Sequence, residues 1–101
     1  RAAKVVENAE FASLIRQGQL VDLREPVDFH RKHILGARNI PSTQLKGNLG
    51  ALRKDKPVLL YENARGQRVM NAALLLKKNG FSDIYILSYG LDSWKGKVKT
   101  S

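Results

Sequence analysis

A short apolar run followed closely by a long amphipathic pattern constrains the fold of this chain more than any other feature. The run Val58–Tyr61 is apolar without alternation, which is typical of a strand buried on both faces. From residue 67 to residue 79 apolar side chains recur at helical spacing, and Gly80 lies just past the end. The members of this stripe are Val69, Ala72, Ala73 and Leu76. The sequence therefore predicts a buried central strand that leads directly into the strongest helix of an α/β fold.

Weaker patterns on both sides of this unit repeat the alternation of strand and helix. They predict a helix over 9–16 ended by Gly18, a strand over 19–24, a brief helix from Pro26 toward His30, a strand over 37–40, a helix over 42–49 with Ser42 as its N-cap, a strand over 83–87 and a short helix over 88–94. This order predicts an α/β fold with a mostly parallel central sheet of about five strands and helices on both faces. We expect one domain over 1–101, with 1–8 and 96–101 as peripheral tails.

The absence of cysteine excludes a whole class of chemistry. Disulfides, thiolate metal sites and thiol catalysis all need sulfur from the protein, and this chain has none. The two histidines, His30 and His33, have few carboxylates around them in the sequence. We therefore expect no metal and no cofactor.

The charge of the chain is strongly positive, with 18 Lys and Arg against 9 Asp and Glu and a formal net charge of +9. Such a balance favours anionic partners. The cations are spread through the chain, and few aromatic residues accompany them, so nucleic-acid binding by base stacking is not expected. A rival interpretation is electrostatic attachment to nucleic acid or to an acidic membrane face through the scattered Lys and Arg.

The sequence has no window of about twenty apolar residues that could span a membrane. The chain begins at Arg1 rather than Met, which suggests an excised fragment or a processed product. We expect a cytoplasmic monomer, with a membrane anchor in a preceding segment as the alternative.

Two loops should lie where strand carboxyl ends meet helix amino ends, the usual place for ligands in a parallel sheet. One follows Arg24 and the other follows Tyr61. The second has the composition of a loop that cradles an anion with its backbone N–H groups. Its residues are Glu62, Asn63, Ala64, Arg65, Gly66, Gln67 and Arg68. A carboxylate, Glu62, stands where a nucleophile is expected.

The order of landmarks from Gln19 to Trp94 resembles the rhodanese family. The matching pieces are Val21 to Pro26 with Phe29, His33 to Pro41, the strand into Glu62, Ala72 to Phe81, and Gly90 to Trp94. In that family a cysteine directly after the central strand becomes a persulfide held by loop N–H groups, and Glu62 aligns with it. Since sulfur transfer needs a soft nucleophile that can form and break an S–S bond, rhodanese-type activity is not expected.

The resemblance leaves two interpretations of Glu62 open. The loop is one residue longer than the common sulfurtransferase loop and is similar to that of phosphatase-like members, which implies a carboxylate nucleophile or base acting on a phosphate ester. The alternative is a decayed site in which Glu62 faces water or pairs with Arg65 or Arg68. In that case the carboxylate occupies or screens the cradle and lowers its affinity for outside anions.

Other residues are expected to support the loop rather than react. Arg65 and Arg68 could grip an anion, although Arg68 could equally face solvent from the first helical turn. The resemblance implies that Asp22 and Arg24 brace the loops as a buried or half-buried ion pair. It also implies that His33 organises a turn through a hydrogen bond.

We therefore expect a non-catalytic domain that serves as a binding or regulatory module, with residual anion binding in the loop 62–68. The partner surface is expected at the rim near Arg24, Glu62–Arg68 and Tyr89, facing an unidentified protein segment or a small anionic ligand. The alternative is an enzyme, either a sulfurtransferase that uses an external thiol or a hydrolase of phosphate esters without cysteine.

Overall fold

Strands and helices alternate along most of the chain, which the computed structural model describes over residues 2–100. The strands are β1 (Lys4–Val6), β2 (Gln19–Asp22), β3 (His33–Ile34), β4 (Arg38–Asn39), β5 (Val58–Tyr61), β6 (Ile84–Leu87) and β7 (Val98–Lys99). The α-helices are α1 (Asn8–Leu14), α2 (Pro26–Arg31) and α3 (Gln67–Lys78). Between them lie 3₁₀ segments at Ser42–Gln44, Lys46–Ala51 and Leu91–Ser93.

The main sheet has five parallel strands in the order β1-β6-β5-β2-β4, which confirms the predicted fold class. Strand β5 is central, as its unbroken apolar run predicts, and all four of its residues are buried. Alternate residues of β5 face different layers of the core. Leu60 packs in the cluster beneath α3, whereas Leu59 and Tyr61 pack in the cluster on the α1 side. Both faces of the sheet are therefore covered.

Helix α3 follows the predicted pattern closely. Its buried residues are Val69, Ala72, Ala73 and Leu76, and Lys77 and Lys78 occupy the last turn, where cations interact favourably with the helix dipole. Gly80 has a φ of 93°, a left-handed conformation that glycine adopts without strain, and it ends the helix.

Both segments predicted to be peripheral tails contain paired strands instead. Strand β1, within 1–8, pairs with β6, and its Val6 is buried in the core. Strand β7, within 96–101, pairs antiparallel with β3. Each strand is only two or three residues long, so its stability comes from the neighbouring strand and not from a pattern visible in its own sequence.

The predicted helix over 42–49 is also wrong in detail. The segment forms two 3₁₀ stretches, with a non-helical φ and ψ at Asn48. Pro41 occupies the N-cap position without a side-chain cap bond, so Ser42 does not cap a helix. Gly47 and Gly50 lie in this segment, and glycine weakens an α-helix by about 1 kcal/mol relative to alanine.

In the part of the chain that the structure describes, no helix has the length and apolarity needed to cross a bilayer.

Candidate functional site

The loop from β5 to α3 begins at a buried anchor, Tyr61. Its hydroxyl oxygen accepts a hydrogen bond from the backbone N–H of Ile34 at 3.0 Å. Burial, together with the neighbouring Asp22 carboxylate, raises the pKa of Tyr61 well above its ordinary value, so the phenol stays neutral. The tyrosine thus fixes the point from which the loop departs.

The carboxylate of Glu62 lies at the N-terminus of α3 and hydrogen-bonds to its backbone. Its Oε2 accepts the N–H of Val69 at 2.8 Å and the N–H of Gly66 at 3.2 Å. Gly66 is the N-cap of α3 and has no side chain with which to cap it. Glu62 lies four residues before the N-cap. Its carboxylate therefore provides the hydrogen-bond acceptor that a serine or aspartate side chain at the N-cap would provide.

In the part of the chain that the structure describes, neither Arg65 nor Arg68 forms a salt bridge with the carboxylate of Glu62. Arg65 is exposed, and Arg68 is half-buried in the first turn of α3. Arg68 borders a hollow of about 270 Å³ that also reaches Ser42 and Thr43. Arg65 thus lies in the loop and Arg68 in the helix that follows it, and neither side chain is fully buried.

Carbonyl groups of the loop point toward the 3₁₀ segment Leu91–Ser93. The N–H of Leu91 binds the carbonyl oxygen of Glu62 at 2.9 Å, and the N–H of Asp92 binds that of Asn63 at 2.9 Å. In a trans peptide the N–H points away from the preceding C=O. The N–H groups of Asn63 and Ala64 therefore point to the opposite side of the loop, as a cradle for negative charge requires.

The close approach of the loop carbonyls depends on Gly90. Its φ is 65°, and a Cβ at this position would clash with the carbonyl oxygens of Glu62, Asn63 and Ala64. Only glycine combines this backbone conformation with this contact. The sequence marks Gly90 only as the first residue of the segment 90–94 that resembles the rhodanese family. Its role could not be predicted, because it depends on a contact with a loop far away in the sequence.

Asp22 and Arg24 form a buried ion pair that reaches the loop. Arg24 Nη2 lies 2.8 Å from Asp22 Oδ2, and Arg24 Nε lies 3.1 Å from Asp22 Oδ1. Arg24 Nη1 donates to the side-chain oxygen of Asn63 at 3.1 Å, and Nη2 also donates to the carbonyl of Lys32. The pair thereby links the loop after β2 to the loop after β5.

Burial and the neighbouring Asp22 shift the pKa of Arg24 in opposite directions. Burial by itself lowers the pKa of its guanidinium, but hydrogen bonds and the charge of Asp22 more than offset this, and the net pKa is raised.

Asn39, which sequence reasoning missed, connects the same two residues through their backbone. Its side-chain amide donates to the carbonyls of Asp22 at 3.1 Å and Arg24 at 2.8 Å. Its position within a weak predicted strand is the only available signal.

His33 takes part in local structure. It is buried, its ring stacks on Phe29 at 3.8 Å between centroids, and its Nδ1 lies 2.8 Å from the carbonyl oxygen of Phe29. The imidazole therefore helps to hold α2 against β3.

Within residues 2–100, no group of three or more His, Asp or Glu side chains is arranged to hold a metal ion. What the described geometry does provide is a helix N-terminus with Arg65 and Arg68 beside it in the sequence, and both features favour negative charge. One negative charge, that of Glu62, is already part of the loop.

Replacing Glu62 with alanine is expected to lower the free energy of unfolding by about 1–2 kcal/mol, because the N–H groups of Gly66 and Val69 lose their acceptor. Urea unfolding measures the change. Glu62→Gln retains an acceptor oxygen and should lose less. Glu25→Ala is the matched control, since Glu25 occupies the N-cap of α2 without a side-chain cap bond. Equal losses for Glu62→Ala and Glu25→Ala would contradict the capping role.

Comparison with known proteins relates this geometry to a family. The family model of the rhodanese-like domain matches residues 7–97. The protein YqhL of Bacillus subtilis is 46% identical, covering 98% of this chain and 78% of that protein. The thiosulfate sulfurtransferase GlpE of Shewanella oneidensis is 36% identical, covering 75% of this chain and 74% of the enzyme. A rhodanese-related protein from Thermoplasma volcanium superposes with a TM-score of 0.86 at 24% identity, covering 97% of this chain and 99% of that one.

Proposed function

The chain belongs to the rhodanese-like domain family, and from this membership we propose that it is a non-catalytic member that acts as a binding or regulatory module. Its loop 62–68 faces the partner. The partner carries negative charge, either as an acidic protein segment or as a phosphorylated ligand.

The observation that carries this proposal is the environment of Glu62. Its carboxylate occupies the position after β5 and bonds to the N–H groups of Gly66 and Val69. A carboxylate oxygen cannot accept and release a sulfane sulfur atom as a thiolate does, and the chain has no cysteine to replace it. The side chain at the reactive position therefore stabilises a helix instead of attacking a substrate.

The surroundings of the loop support an anionic partner. Arg65 and Tyr89 are exposed, and Arg68 is half-buried, so all three side chains are accessible to a partner to some extent. Because Glu62 already neutralises part of the positive potential inside the loop, small free anions should bind weakly. A larger partner that also contacts the arginines gains additional charge-assisted hydrogen bonds.

The catalytic alternative is tested by two assays, sulfur transfer from thiosulfate to cyanide and hydrolysis of an aryl phosphate. Neither activity is expected from the purified chain without added thiol proteins. Turnover that is abolished by Glu62→Ala would overturn the proposal and support the enzyme that the longer loop implies.

The binding proposal is tested by titrating phosphate, thiosulfate and a hexaglutamate peptide while the amide shifts of 62–68 are followed by NMR. We expect weak binding of the two small anions, tighter binding after Glu62→Ala, and loss of peptide binding in Arg65→Gln/Arg68→Gln. The control Lys46→Gln/Lys56→Gln removes the same charge from exposed positions outside the loop. Tight phosphate binding by the wild-type chain, or equal losses in both double variants, would contradict the proposal.

A further inference from the structure

An apolar groove lies between α3 and the edge strand β1, outside the loop 62–68. It has a volume of about 300 Å³. Ala3 and Val5 line it from the strand side, and Met70, Ala73 and Leu74 line it from the helix side. We call this feature the α3–β1 groove. Its hollow shape follows from the small side chains of Ala3 and Ala73, which leave room beside their larger neighbours.

The helix side of the groove exposes large apolar side chains. Leu74 is 58% exposed and Met70 is 41% exposed, although α3 buries its other face normally. Leu74 also borders a second hollow of about 480 Å³, lined by Leu75, Lys77 and Lys78. Met70 and Leu74 lie four residues apart and therefore on one face of α3, where a partner can cover both side chains together.

The strand side of the groove offers unpaired backbone. Among residues 2–100, β1 is the last strand of the five-stranded sheet and pairs only with β6. The carbonyl of Val6 binds the N–H of Ser88 at 2.8 Å, so Val6 faces β6. Successive residues of a strand alternate in direction, and the N–H and C=O of Val5 therefore face outward. An extended segment can add to such an edge as a further strand.

Charge indicates the composition of that segment. Helix α3 contains no acidic residue, and Lys77 and Lys78 are exposed at its end. An acidic segment complements this rim, whereas a second copy of the chain would bring another net charge of +9. A bilayer surface cannot fill a concave hollow as side chains of a peptide can.

We propose that the α3–β1 groove binds an extended segment of an acidic partner protein. The segment adds a strand beside β1 and places alternate apolar side chains between Val5 and Leu74, while its acidic residues meet Lys77 and Lys78.

The probe is a synthetic peptide, acetyl-Glu-Glu-Val-Thr-Leu-Thr-Val-Glu-Glu-amide, titrated into the ¹⁵N-labelled chain. Amide shifts are expected in β1 and along the outer face of α3, with slower hydrogen exchange at Val5. Leu74→Gln should raise the Kd about tenfold, since burial of a half-exposed leucine is lost. The control Leu35→Gln changes a residue that is 49% exposed elsewhere and should leave the Kd unchanged.

A second pair of variants separates the effect of the positive charge beside the groove from the effect of the net charge of the chain. Lys77→Gln/Lys78→Gln should weaken peptide binding, whereas Lys97→Gln/Lys99→Gln removes the same charge around β7 and should have no effect. Equal weakening by both pairs would overturn the proposal. Peptide shifts confined to 62–68, self-association through β1 without peptide, or shifts induced only by anionic lipid vesicles would each do the same.

Discussion

Glu62→Cys is expected to produce a thiol whose pKa lies at least about one unit below the ordinary value of about 8.5. The new thiolate would lie near the same helix N-terminus, where the dipole and the N–H groups of Gly66 and Val69, no longer bound by the carboxylate, favour negative charge. The pH dependence of alkylation by iodoacetamide measures this pKa. Asn71→Cys is the control, because it places a thiol on the exposed face of α3, where the ordinary pKa is expected.

The same variant tests whether the fold permits sulfur chemistry once a thiol is present. With thiosulfate, the thiolate would attack the sulfane sulfur, form a persulfide and release sulfite. Mass spectrometry would then show a gain of one sulfur atom in Glu62→Cys but not in Asn71→Cys. An ordinary pKa for the new thiol would mean that the loop amides do not converge on residue 62.

Arg24→Ala is expected to lower the free energy of unfolding by about 3–5 kcal/mol. Asp22 is fully buried, so removal of the arginine leaves a carboxylate without its partner in the interior. The change also removes the bond from Arg24 to Asn63 in the loop and the bond to the carbonyl of Lys32. Urea unfolding followed by the fluorescence of Trp94 measures the loss.

Because a loss of this size can unfold a small domain, Arg24→Lys provides a milder test. Lysine keeps the charge but cannot reproduce the planar fork that binds Asp22 and Asn63 together. Arg53→Ala is the control, since it breaks the exposed pair with Asp55 and should leave stability close to that of the wild type. Similar losses for Arg24→Ala and Arg53→Ala would contradict a bracing role for the buried pair.

These two experiments examine different parts of one arrangement. The backbone path of the loop before α3 depends on its contacts with Gly90 and Leu91 in a distant segment. The brace at β2 depends on the buried charges of Asp22 and Arg24. Neither support depends on the residue type at position 62, so the fold accommodates a carboxylate in the loop.

Much of the fold follows from local patterns. The apolar run of β5 and the helical stripe of α3 predict a central buried strand and its helix, and both are confirmed. Such patterns are predictive because a strand buried on both faces has an unbroken apolar run, and a helix buried on one side has apolar residues at helical spacing. Strands β1 and β7 show neither pattern, since each is stabilised by a neighbouring strand far away in the chain.

The candidate site divides in the same way. Sequence patterns predict Glu62 directly after the central strand and Asp22 with Arg24 at the end of another strand, and these ends meet because the carboxyl ends of neighbouring parallel strands lie at one edge. The hydrogen-bond partners of those side chains could not be predicted from the sequence, since Glu62 could equally have faced water or an arginine.

The sequence by itself determined the layered α/β architecture, the absence of cysteine and the position of a carboxylate directly after the central strand, all of which are properties of residue type and spacing. Only the tertiary structure decided that this carboxylate caps α3, that Arg24 reaches Asn63, and that β1 leaves an open edge beside exposed Leu74. These are contacts between segments distant in the chain, and their geometry depends on how the whole core packs.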